Sequence, residues 1–187
     1  MITELYKLTS LQESMFNEDT DLMQVATLPE EHPTSVNEDE LRSYFKEAHI
    51  TRRITHAVVH CAATQPTATV SSILSYWKNH LGWKNPGYHI LIGLKGFTVL
   101  SDFNNVSNGA IGYNSNGVHF SYIGGIDRSG KPLDTRTELQ KRLMQVCLEE
   151  IKLKVPGIHI IGHNEVANKA CPSFKVHAAY PTFWTGK

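Results

Sequence analysis

At 187 residues the chain has the length of one domain with some decoration, enough to bury a core without cross-links. Lys plus Arg and Asp plus Glu are equal at 18 each, so no overall field selects nucleic acid, an anionic membrane or an acidic ligand. Three cysteines, Cys61, Cys147 and Cys171, form an odd set without framework spacing, which argues against a disulfide scaffold and for reduced thiols or a ligand. The opening residues, MITELYKLTSLQESMF, lack a basic start followed by an apolar run, and nowhere do about 18 apolar residues run together. The expectation is synthesis in the cytoplasm without signal peptide or membrane span.

Residues 1–50 read as an N-terminal extension, partly helical, with acidic turn-prone stretches NEDTD, PEEHP and NEDE. Ser35 followed by Glu38 predicts a capping box for a short helix that turns Leu41, Tyr44 and Phe45 to one face and packs on the main domain. Residues 51–187 read as that domain. ITHAVVH (54–60) is a β-branched run of the kind that forms a buried strand, and it ends on His60. Val70, Ile73, Leu74, Trp77 and Leu81 then recur at helical spacing between an N-cap at Thr69 and a stop at Gly82. YHILIGL (88–94) and FTVLS (97–101) straddle Lys95–Gly96 as a hairpin, and GVHFSYIGG (117–125) is a further strand. Thr135 with Glu138 predicts a second capping box, opening a helix with Leu139, Leu143, Val146, Cys147 and Ile151 inward. GIHIIGH (157–163) repeats the form of the first strand and ends on His163. The sum is an α/β fold: a single domain with a central mixed sheet flanked by helices.

Two strands therefore end in histidine, and Cys171 follows His163 by eight positions. Two imidazoles and a thiolate suit tetrahedral zinc with a fourth position left for water. The same residues also suit a thiol nucleophile with a histidine helper, or hydrogen-bonded strand ends beside a buried cysteine. Spacing does not choose among these.

VHCAAT (59–64), PGYHILI (86–92), GYNSNG (112–117), GGID (124–127) and GHNEVANKACPSF (162–174) stand in register with one family. The chain resembles the zinc-dependent N-acetylmuramoyl-L-alanine amidases, the group that includes short phage lysins and peptidoglycan recognition proteins. The likeness covers about residues 54–184. It implies the amidase and peptidoglycan-recognition fold, one Zn2+ ion held by His60, His163 and Cys171, and Tyr88 with Lys169 as the catalytic pair. It further implies hydrolysis of the amide between N-acetylmuramic acid and L-alanine, with water as nucleophile and Lys169 stabilising the oxyanion. Thr64, Tyr113, Asn114 and Asn116 are then candidates for binding peptidoglycan or a muropeptide, and Trp77 and Trp83 are mostly structural. His89 and Cys61 are expected to face away from the site, and His119 to be surface or satisfied core.

Two departures accompany the resemblance. Gly109 stands where related amidases carry a histidine three residues before GYN, and LSDFNN (100–105) lacks their usual basic residue. Peptidoglycan-recognition proteins that only bind typically lack the cysteine ligand, so Cys171 speaks for catalysis over the alternative of a non-catalytic binding module. The implied place of action is the cell wall, reached by holin-type release or dedicated export, with an export or regulatory partner for residues 1–50.

Overall fold

The computed structural model describes residues 38–183; Ser35 of the first predicted cap and the rest of the extension before Glu38 lie outside them. In chain order come α1 (Glu38–Glu47), β1 (His56–Cys61), α2 (Val70–Asn79), β2 (Ile90–Ile92), β3 (Phe97–Val99), β4 (Gly117–Tyr122), α3 (Glu138–Lys154) and β5 (His159–Gly162). Short helices α4 (His163–Val166) and α5 (Val176–Ala179) follow. The strands form one sheet in the order β3-β2-β4-β1-β5. All neighbours are parallel except the β2–β3 hairpin.

Because β1 is an internal strand with parallel neighbours on both sides, it is covered on both faces, which is why it can be an almost unbroken apolar run. Alternation sends Ala57, Val59 and Cys61 to one face, where with Val118, Phe120 and Tyr122 they meet Leu41 and Phe45 of α1 and Leu143, Met144 and Cys147 of α3. The other face carries α2, whose Ile73 and Trp77 pack with Leu91 and Ile123. His60 and Ser121, register partners on β1 and β4, turn to that second face.

Several predicted boundaries move: the strands are shorter than their apolar runs, and His163 opens α4 instead of closing β5. The capping box of α3 is Thr137 with Gln140, two residues beyond the predicted pair: Thr137 Oγ1 accepts from the Gln140 N–H at 3.2 Å and Gln140 Oε1 from the Thr137 N–H at 3.0 Å. Thr135 is engaged elsewhere, accepting from the Gly125 N–H at 2.9 Å, so the chain stays extended past it. The helix over Val70 stops at Asn79, leaving Leu81 outside it and 40% exposed. The strand predicted over 117–125 ends at Tyr122, because Gly124 and Gly125 take φ of 138° and 103° and turn the chain away.

Candidate metal centre

The parallel pairing of β1 with β5 sets Val59 opposite Gly162, so His60 and His163 emerge side by side at the carboxyl edge of the sheet. Such edges are where open α/β sheets place their sites. His60 Nδ1 lies 3.1 Å from His163 Nδ1 and 3.7 Å from Cys171 Sγ. All three donor atoms lie within 4.8 Å of one another, and the three residues are buried. Three bonds tie the Cys171 loop to the sheet. The Cys61 N–H donates to Cys171 Sγ at 3.2 Å, Tyr122 Oη to the Pro172 carbonyl at 2.9 Å and Ser173 Oγ to the Gly125 carbonyl at 2.8 Å. Before His163 a Cβ on Gly162 would meet Asn164 Oδ1 at 2.6 Å and Val176 at 3.0 Å, so a side chain there would have to displace the Asn164 amide.

Burial keeps both imidazoles neutral at ordinary pH. His60 is held well below the usual histidine value by burial, then by the charges of His119, His163 and Lys169. His163 is lowered to about 4 by burial and then by Lys169. Burial also pushes the Cys171 thiol well up, so without a cation it stays protonated and is a poor nucleophile. Donors on an ideal tetrahedral zinc would stand roughly 3.3 Å (N to N) and 3.6 Å (N to S) apart, given bonds near 2.05 and 2.3 Å. The distances from His60 match within a few tenths of an ångström, and the donor set is one that zinc favours. The residues fit the ion.

Tyr88 closes one side, its ring 5.1 Å from that of His60 and edge-on to Trp77 at 5.1 Å. Its hydroxyl donates to the Cys61 carbonyl at 3.2 Å, and burial raises it well above the usual tyrosine value, so it remains a phenol. Lys169 is exposed, yet its charge acts on His60, His163 and Cys171 alike. Thr64 is buried beyond the end of β1 with no partner for Oγ1 among the described residues. Tyr113, Asn114 and Asn116 lie at the other end of β1. Tyr113 packs edge-on against His56 at 4.9 Å, Asn114 Oδ1 accepts from the Ala110 N–H, and the Asn116 carbonyl accepts from the Thr55 N–H. His56 is four residues before His60, ~13 Å along the strand. Trp77 and Trp83 pack together at 5.8 Å behind Tyr88.

His119, expected at the surface or in satisfied core, is fully buried with Nδ1 3.0 Å from His60 Nε2. Only the register of β4 on β1 reveals this, and the residue string does not display register. The departure at Gly109 belongs with it, since a Cβ there would lie 2.4 Å from His119 Nδ1 and 2.7 Å from the Gly87 carbonyl oxygen. His89 lies flat against His119, centroids 5.9 Å apart, and burial lowers it to about 4. Two arginines also escaped notice. Arg52 donates to the carbonyls of Phe103, Asn114, Ser115 and Gly117, fastening the GYN loop. Arg136, paired with Asp134 at 2.8 Å, lies 3.2 Å above the Phe174 ring and so clamps the chain just after Cys171.

The family described as N-acetylmuramoyl-L-alanine amidase matches residues 50–174. The endolysin of Klebsiella phage KP32 is 36% identical over 118 residues, 62% of this chain and 78% of that protein. The endolysin of Escherichia phage T7 is 36% identical over 126 residues, 66% of this chain and 83% of its own. Among solved structures, Drosophila PGRP-LB in complex with tracheal cytotoxin matches with a TM-score of 0.59 at 17% identity, over 73% of this chain and 86% of that one, a likeness of fold.

Proposed function

The chain belongs to the N-acetylmuramoyl-L-alanine amidase family and is a peptidoglycan amidase, and from that premise we propose that it uses one zinc ion to cut the amide between N-acetylmuramic acid and L-alanine. The observation that carries the zinc reading is the convergence of one ligand atom from each of the buried His60, His163 and Cys171 within 4.8 Å. A bound zinc would supply Lewis acidity toward the scissile carbonyl and a water acidified toward neutral pH.

The chain's own groups divide the rest. Lys169 places a positive charge beside the carbonyl oxygen as it becomes anionic, where a cation stabilises the transition state more than the ground state. Tyr88, held as a phenol against His60 with its hydroxyl on the Cys61 carbonyl, is suited to position the attacking water or to assist proton transfer to the departing amine. Thr64 Oγ1 is buried with no partner among the described residues, and a hydrogen bond from a substrate group reaching it would satisfy it. Tyr113, Asn114 and Asn116 lie at the other end of β1 and would meet only a part of the substrate remote from the scissile bond. An extended stem peptide advances ~3.3 Å per residue, so ~13 Å from the metal is about where its fourth residue lies. The phage endolysins that the chain resembles support the cell wall as its place of action, with holin-type release or dedicated export as the route.

Burial of the Cys171 thiol disfavours the competing cysteine-hydrolase reading. Treatment with a chelator and with a mild alkylating agent decides between them. The zinc reading expects loss of wall hydrolysis on chelation, recovery on adding zinc, and no inactivation by the alkylating agent while zinc is bound. Full activity after exhaustive chelation would sink it.

A further inference from the structure

Beyond the zinc reading, and resting on it, lies the question of what fixes the ring of His60. A histidine that ligates through Nδ1 must carry its proton on Nε2, and something must accept that proton. Carboxylates, main-chain carbonyls and water usually do so. Here the atom beside His60 Nε2 is a third imidazole nitrogen, His119 Nδ1, at 3.0 Å. We propose that His119 is a positioning residue for metal binding: its Nδ1 accepts the His60 Nε2 proton and so holds His60 in the tautomer whose Nδ1 lone pair faces the ion.

That direction leaves the other ring nitrogen of His119 without a hydrogen-bond partner among the described residues. To accept at Nδ1 it must be protonated at Nε2, and Nε2 is buried near the Tyr113 carbonyl, although not in hydrogen-bond geometry. The His119 main-chain N–H donates to His89 Nδ1 at 3.1 Å, which leaves His89 to donate from Nε2 to the Asn105 carbonyl at 3.1 Å. These two bonds fix the tautomer of His89 and tie it to the β4 backbone at His119, while the His119 ring itself hydrogen-bonds only to His60 among the described residues. The ring's place is also confined. His89 lies parallel to it at 9°, and Gly109 and Gly117 bring bare backbone to its edges, where a Cβ would come within 2.4 Å of Nδ1 and 3.1 Å of Nε2 respectively. These contacts confine the ring with Nδ1 toward His60. The residue therefore acts through His60 and touches neither metal nor substrate.

The test reads tautomers and affinity instead of turnover. In the zinc-loaded full chain with 15N-labelled histidine, NMR should show His60 protonated at Nε2, His119 unprotonated at Nδ1, and a coupling between those nitrogens across the hydrogen bond. His119→Leu, which fills the space without an acceptor, should weaken zinc binding roughly 10- to 100-fold in competition with a chromophoric chelator. His119→Asn, whose Oδ1 can stand where Nδ1 stood, should restore most of that loss. A proton on His119 Nδ1, or wild-type zinc affinity in His119→Leu, overturns the proposal. Should the variants fail to fold, the NMR result on the native chain decides alone. Failure of the zinc reading itself looks different: the native chain would take up no zinc.

Discussion

Lys169 and Cys171 are two residues apart, yet their removal should have opposite consequences for the metal. Cys171→Ala deletes a donor, as does His60→Ala, so zinc content by elemental analysis and wall hydrolysis should vanish together. Lys169→Ala deletes only a charge, so zinc should stay bound while turnover falls roughly 10²- to 10³-fold, the scale of losing one preorganised oxyanion partner. Full turnover in Lys169→Ala would remove the electrostatic role assigned to it. His89 supplies a prediction of a different kind. Its folded value of about 4 lies below the ordinary 6.5, so between those pH values the unfolded chain binds the extra proton and the folded one does not. Stability contributed by neutral His89 is therefore intact above pH 6.5 and is lost as pH falls toward 4, on the order of 2 to 3 kcal/mol. Urea unfolding of wild type and His89→Gln should show the smaller pH 7 to 4.5 difference in the variant.

Among the elements, α1 joins the domain chiefly through apolar contact. Leu41 and Phe45 are fully buried in the main core, whereas Arg42 reaches Glu149 and Glu150 at 2.6 Å from a position 40% exposed. Exposed ion pairs contribute about 1 kcal/mol or less, and a buried Leu→Ala change costs about 2 to 5. Leu41→Ala should thus lower unfolding free energy severalfold more than Arg42→Ala. The elements themselves were legible because each has a local cause: β-branched runs for β1 and β5, a 3.6-residue apolar stripe for α2 and α3, and Lys95–Gly96 between β2 and β3. Their ends were less so. Thr135 and Thr137 are equally good caps on paper, and what separates them is the bond from the distant Gly125 N–H to Thr135. The same limit applies to the site. His60 and His163 announce themselves at strand ends, and Cys171 by its place in a motif, but His119 sits inside a strand and its meeting with His60 depends on pairing between segments 59 residues apart.

For the molecule as a whole, the sheet order is what assembles the centre: β1 beside β5 delivers two histidines to one edge, and the loop after α4 returns Cys171 to them. Among the described residues no helix is long and apolar enough to cross a membrane. Because α1 lies across that same core, a chain beginning at Arg52 keeps every proposed ligand but loses Leu41 and Phe45. Against a chain beginning at Glu38, it should unfold at lower temperature and lower urea concentration while still binding zinc in the cold. Equal stability of the two would mean that the α1 contacts contribute nothing. The central claim is tested most directly by the products of purified peptidoglycan digested with zinc-loaded and metal-stripped protein. The expected result is release of stem peptides with a new L-alanine amino terminus from intact glycan strands, by the zinc-loaded protein only. Release by the stripped protein, or cleavage within the glycan or elsewhere in the peptide, would contradict it.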